Sequence, residues 1–234
     1  MKILYIQPAG NFSEAYNRLI VNQGAENYYG QKYSVLTVVD QARSNYEVSV
    51  LVTNASEARR ELLEENLSYV GMIQNNNDFE NIKSEIIRFS PDRVILRMPD
   101  YKILRYLRKC DIATLPVFAD SFEGYGLIRG RRFRFFLSRE LKKKSIDFVA
   151  NHQINASRSL ENLGVSTSKI IPYDWVHPMT PNQWEAKIEA KLNAEKLRLF
   201  YAGSLSERKG VDDLVNAVAI IKDKGVEVEL FIAG

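Results

Sequence analysis

The sequence predicts an α/β protein built on a doubly wound, Rossmann-like parallel sheet and followed by the start of a second Rossmann-like unit. Three observations predict it. Short apolar runs alternate with amphipathic helical stretches along the whole chain, the strand runs are apolar on both faces, and Leu197–Gly234 repeats the same strand, turn, helix, strand pattern after a polar connection. Strands that are apolar on both faces belong to a parallel sheet covered by helices on either side.

The elements follow in order. Lys2 to Gln7 is a strand, and Pro8-Ala-Gly10 begins an irregular connection that runs to about Gly24. Glu26 to Asn45 is expected to be a helix, because Tyr29, Tyr33, Leu36, Val39 and Ala42 recur on one face. Glu47 to Thr53 is the second strand. Further pairs are helix 56–66 with strand 68–74, helix 78–89 with strand 92–97, helix 100–109 with strand 111–118, helix 127–144 with strand 146–150, and helix 153–163 with strand 169–172. Pro178-Met-Thr-Pro181 breaks regular structure, and a charged stretch, Asn182 to Lys196, places Trp184, Ile188 and Leu192 on one side of a linking helix. The expected organisation is therefore a first domain over 1–176, a linker over 177–196 and the first β-α-β of an incomplete second domain over 197–234. Those thirty-eight residues are too few to bury a core of their own, so the chain reads as a fragment.

Composition excludes several classes. The chain is 45% hydrophobic and 26% charged, with 32 basic against 29 acidic residues, a net charge of +3 that calls for no nucleic acid. The single cysteine, Cys110, cannot form an internal disulfide and fits a reducing compartment. No run approaches the roughly eighteen apolar residues of a membrane span. Two histidines and one cysteine, far apart in sequence, give no metal-ligand spacing, so no metal site is expected. A cytoplasmic location follows, with peripheral attachment to a membrane left open by one local charge run.

That run is Arg129, Arg131, Arg132, Arg134, Arg139, Lys142, Lys143 and Lys144, within sixteen residues, alongside Phe133, Phe136, Leu137 and Leu141. A basic amphipathic helix can lie on anionic lipid or meet a phosphate-bearing acceptor. Alternatively, its apolar face packs on the sheet and its basic face is simply solvated.

Phosphate chemistry is written in the second unit. In Gly203-Ser-Leu-Ser-Glu-Arg-Lys-Gly210 a glycine turns the chain at the carboxyl end of a strand, Arg208 and Lys209 supply charge, and Gly210 opens a helix whose free N–H groups favour an anion. That helix places Val211, Leu214, Val215, Val218, Ala219 and Lys222 at spacings of three and four. A diphosphate suits such a turn, and so does a solvated loop of ordinary charges.

The string Phe200-Tyr-Ala-Gly-Ser-Leu-Ser-Glu-Arg-Lys-Gly-Val-Asp-Asp-Leu-Val-Asn-Ala-Val resembles the opening of the second domain of retaining glycosyltransferases of the GT-B fold, the group called family 4. The resemblance implies that Lys209, with Gly203 and Gly210, holds the diphosphate of a nucleotide-sugar donor; Ser204 stands where the family commonly has arginine. Asn22-Gln-Gly-Ala-Glu26 resembles the family's glycine-rich loop, with Gly24 as the glycine retained, and Ser145–Val165 followed by Lys169–Asp174 resembles the end of its first domain. Where the family often has a histidine in the transfer cleft between its domains, this chain has Pro116-Val-Phe-Ala-Asp-Ser-Phe122, and Asp120 stands at or one residue beyond that place. It can orient an acceptor hydroxyl, accept its proton, or merely cap a turn. Arg97 and Asp100 point to the same edge, or form an ion pair there. His152 follows a strand near the cleft and is read first as a structural histidine; His177 falls at the hinge. The resemblance implies transfer of a sugar from a nucleotide diphosphate sugar to an acceptor hydroxyl, in glycan or glycolipid synthesis, without a cofactor or an obligatory metal. A binding module without catalysis is the alternative.

Overall fold

The computed structural model describes residues 1–8, 10–27, 30–73, 78–122, 128–174, 182, 196–203 and 205–234. The chain divides into two compact units, Met1–Pro178 and Met179–Gly234. Ser204, His177 and the expected linker helix, apart from Asn182 and Lys196, lie outside the described residues.

The first unit is an eight-stranded sheet: β1 (Lys2–Gln7), β2 (Glu47–Val52), β3 (Arg59–Glu64), β4 (Leu67–Gly71), β5 (Arg93–Leu96), β6 (Ala113–Phe118), β7 (Val149–His152) and β8 (Ile170–Tyr173). They lie in the order β3-β4-β2-β1-β5-β6-β7-β8, and every pairing is parallel except β3 with β4. The described helices are α1 (Phe12–Tyr16), continued by a π-helical turn over Asn17–Val21, α2 (Gln31–Arg43), α3 (Asp78–Phe89), α4 (Tyr101–Lys109), α5 (Ile128–Leu141) and α6 (Ile154–Asn162).

Successive side chains of a strand face opposite ways, and β1 shows what that does here. Ile3 and Tyr5 join a core formed with α1 and α2, around Phe12, Leu19, Val35 and Val39. Leu4 and Ile6 join the opposite core, formed with α3 to α6 around Ile86, Ile103, Leu137 and Leu160. Helices thus cover both faces, as a doubly wound sheet requires, and β1 is apolar from Ile3 to Ile6 because each of its faces is buried there.

Three sequence expectations are corrected. Residues 56–66 are not a helix: Arg59–Glu64 pairs antiparallel with β4, with a register shift between Leu62 and Glu64. Arg, Glu and Leu favour helix in isolation, but pairing to a buried neighbour strand overrides so weak a preference. The 8–24 connection is not irregular, since α1 and the π turn occupy most of it and bury Phe12, Ala15, Tyr16 and Leu19. The next helix begins at Gln31 rather than Glu26, because Gly30 stands at φ +80°, a left-handed conformation that ends helical continuity upstream.

The second unit holds β9 (Leu197–Ala202), a short 3-10 turn over Glu207–Lys209, α7 (Val211–Asp223) and β10 (Val228–Ala233), with β9 and β10 paired in parallel. Of α7, Val218 is buried while Val211, Leu214 and Ile221 are half-buried; Val215 and Ala219, expected inside, are exposed. The packed stripe is therefore 211, 214, 218 and 221.

Candidate functional site

Parallel sheets present their strand carboxyl ends, and the loops leaving them, as a common edge. In the first unit that edge carries Gln7 from β1, Arg97 just after β5, Asp120 just after β6, His152 at the end of β7 and Tyr173 at the end of β8. The sequence brings polar groups there because a strand buried on both faces can release them only at its end.

Asp120 is the best fixed of these. Asn151, fully buried at the end of β7, binds its loop through all its polar atoms: Nδ2 donates to Asp120 O at 2.9 Å and Ala156 O at 2.8 Å, while Oδ1 accepts from Asp120 N at 3.3 Å and His152 N at 3.0 Å. Two residues on, Phe122 N donates to Ser159 Oγ at 3.1 Å, which ties the same loop to α6. These bonds hold the backbone and leave the Asp120 carboxylate uncommitted; it is half-buried and has no partner among the described residues. Burial pushes its pKa above the ordinary aspartate value. A carboxylate of raised pKa can accept a proton, and an aspartate after a strand can equally cap the next turn.

Asp100 caps a helix. Its Oδ1 accepts from Lys102 N at 2.7 Å and Ile103 N at 3.1 Å at the start of α4. Arg97 turns the other way: its Nη1 donates to Gln7 Oε1 at 3.3 Å and Ser34 Oγ at 3.2 Å, and its guanidinium lies 4.7 Å from the centre of the Tyr5 ring. His152 Nε2 lies 3.1 Å from Asp174 Oδ1, and its ring meets Tyr173 edge-on at 5.6 Å. Tyr173 donates its hydroxyl to Phe118 O at 3.2 Å; burial raises its pKa, and the charge of Arg97 works against that rise.

Gly24 packs on the π turn. Its N–H donates to Arg18 O at 2.7 Å, and a Cβ there would lie 3.0 Å from both Cγ and O of Arg18. Close packing on the π turn accounts for the glycine.

The remaining site residues belong to the second unit. Gly203 ends β9, with its N–H on Ala233 O at 3.0 Å. Lys209 closes the 3-10 turn, is exposed, and has no side-chain partner among the described residues. Gly210, at φ +66°, accepts the N–H of Leu214 as α7 begins. A cation thus stands directly before a helix start, a geometry suited to an anion.

On α5, Arg131 and Arg132 are exposed and Arg134 is half-buried. Leu137 and Leu141 are buried in the core and Phe136 stacks on Tyr101 at 5.2 Å, so most of the apolar face packs inward. Phe135 does not: it is 63% exposed among those arginines. Among the described residues no three His, Cys, Asp or Glu side chains gather as a metal site, and no helix is long and apolar enough to cross a membrane.

Asn151 and Tyr173 went unnoticed in the sequence. The one signal for Asn151 was a polar residue ending an apolar strand, immediately before His152.

No family model and no curated protein match the chain. Solved structures align with it at low identity and with TM-scores below 0.5. A Listeria monocytogenes protein assigned as a UDP-N-acetylglucosamine 2-epimerase aligns with a TM-score of 0.45 and 13% identity over 99% of this chain and 61% of its own. A UGT transferase from Siraitia grosvenorii, solved with UDP, gives 0.43 and 10% over 98% and 62%. The UDP-GlcNAc 2-epimerase of Neisseria meningitidis, solved with UDP-GlcNAc, gives 0.43 and 10% over 98% and 66%. The chain spans less than two thirds of each, and likenesses of this degree assign it no activity.

Proposed function

We propose that the protein is a glycosyltransferase that moves a sugar from a nucleotide diphosphate sugar to an acceptor hydroxyl, with retention at the transferred carbon. The observation that carries the reading is Asp120, a carboxylate of raised pKa held on a fixed loop at the carboxyl edge of a parallel sheet. In the proposed step the bond from the sugar carbon to the diphosphate oxygen breaks, the acceptor oxygen bonds to that carbon on the face the diphosphate leaves, and the hydroxyl proton passes to Asp120. Donor diphosphate binds at the Gly203–Gly210 turn, where Lys209 and the first N–H groups of α7 meet the charge that builds on the departing group. By the resemblance, Ser204 stands where the family commonly has arginine, so the proposed clamp has one cation fewer. No cofactor and no obligatory metal enter the step, because these groups supply the positive charge. Retention rests on the resemblance of that turn.

Arg131, Arg132 and Arg134, with the exposed Phe135 beside them, form the surface proposed to meet an anionic membrane or a lipid-linked acceptor. Product formation by the full-length gene product from a panel of uridine and guanosine diphosphate sugars tests the reading. Parent protein should transfer, and Asp120→Asn should lose about 100-fold or more in kcat, the scale of a lost general base. A variant that turns over at the parental rate removes Asp120 from the step.

A further inference from the structure

Strand order reverses beside β1: the chain passes from β1 to β2 on one side and returns with β5 on the other. Open α/β sheets take ligands at such a switch point. A cavity of about 70 Å³ opens there, walled by Gln7, Asn11, Phe12, Gln31, Ser34 and Arg97 among others. Several of these groups are already engaged. Asn11 Oδ1 accepts from Glu14 N, Gln31 Oε1 accepts from Arg18 Nη2 and Asn27 N, and Phe12 is part of the core.

Arg97 is the charged group of the wall. Two of its hydrogen bonds, to Gln7 and Ser34 at 3.3 and 3.2 Å, are long and run to neutral acceptors. An ionised oxygen acceptor makes a shorter bond, roughly twice as strong, so an oxyanion entering the cavity competes well for the guanidinium. Tyr5, whose ring Arg97 covers, keeps the guanidinium over the mouth of β1. A cavity of this size admits a carboxylate or a phosphate group but not a pyranose ring, so the rest of such a ligand extends outward along the sheet edge. Asp120 follows the next strand, β6, and neighbouring strands lie roughly 5 Å apart, about the width of a sugar ring.

We infer that this cavity binds the acidic group of the sugar acceptor, a carboxylate or a phosphate, with Arg97 as its cationic partner and Gln7 and Ser34 beside it. That the ligand is a sugar, and an acceptor, rests on the transferase reading; the binding of a carboxylate or phosphate group at Arg97 does not. Titration of the 234-residue chain, followed through the backbone resonance of Ser34 and the side-chain Nε of Arg97, tests it with three probes: glucose 1-phosphate, glucuronate and glucose. At about 10 mM, above the roughly millimolar affinity of a small charged contact, either acidic sugar should shift both resonances while glucose leaves them in place. The acid that saturates first identifies the group. Arg97→Gln should weaken that binding by about tenfold or more. Ser34→Asp, which supplies an internal carboxylate in the first turn of α2 where an acid is well tolerated, should abolish it in a folded protein.

Equal shifts from glucose, no shift at Ser34 and Arg97 with either acid, or parental affinity in Ser34→Asp would each overturn the inference. Acidic sugars binding here without any transfer would count against the transferase reading alone. Transfer to a neutral acceptor, with no acid bound at Arg97, would count against this inference alone.

Discussion

At Asp120 burial and function pull in opposite directions, and both can be measured. Burial raises its pKa, so the folded protein holds the proton more tightly than the unfolded chain does. The favourable contribution is therefore complete below the ordinary aspartate pKa and is lost as pH rises through the folded value. Asp120→Asn should accordingly unfold at a higher temperature than the parent at pH 7, and the gain should disappear once the pH falls below the ordinary value near 3.8. For activity the sign is reversed. A base must be ionised, so kcat/KM should rise with pH through the folded pKa, placing its acid limb above the range of an ordinary aspartate; pH–rate profiles report that limb directly. Asn151 belongs to the same scale. Asn151→Ala strips partners from two N–H groups and two carbonyls, and buried unsatisfied groups cost about 1 to 3 kcal/mol each. A loss of about 3 kcal/mol or more in denaturant unfolding is expected. Asp120 was singled out through the resemblance of Pro116–Phe122 to the place where the family often has a histidine, but Asn151 was not legible, because its partners lie 31 residues away in Asp120 and across a turn in Ala156.

At the scale of elements, α5 divides its aromatic residues between two environments. Leu137, Leu141 and the ring of Phe136 are spent on the core and on Tyr101, which leaves Phe135, Arg131 and Arg132 as the outward surface. If that surface meets anionic lipid, changing Arg131, Arg132 and Arg134 to Glu should abolish pelleting with anionic vesicles at low salt and change stability by less than about 1 kcal/mol, since exposed charges contribute little. Equal pelleting of parent and variant would leave the helix an ordinary solvated face. Sequence periodicity located α3, α4 and α6 closely because each buries one stripe on the sheet. It failed at 56–66, where Arg60 and Leu62 alternate with Glu61 and Leu63 across a strand. Four residues of alternation in a helix-favouring composition are too short to reveal a period of two, and only β4 alongside decides the matter.

Over the whole molecule, the doubly wound sheet was legible because seven of its eight strands repeat one pattern, and the antiparallel edge was not, because β3 departs from that pattern. The site residues of the proposed reaction, Asp120 in the first unit and Gly203 and Lys209 in the second, have distinct tasks in it. Lys209→Ala removes one charge-assisted contact to the diphosphate, about 1.5 to 3 kcal/mol, and should weaken donor affinity roughly ten- to a hundredfold in calorimetric titration. Because the charge on the leaving group grows in the transition state, kcat should fall as well. Excess EDTA should leave transfer unchanged, since the proposed step routes no charge through a metal. The most direct measurement is transfer of labelled sugar by the full-length gene product from uridine and guanosine diphosphate sugars, run in parallel with its Asp120→Asn variant and with donor affinity recorded for both. The account predicts transfer by the parent, a loss of about 100-fold or more in the variant, and unchanged donor affinity. Parental turnover in Asp120→Asn, or no transfer by the parent from any donor it binds, would contradict it.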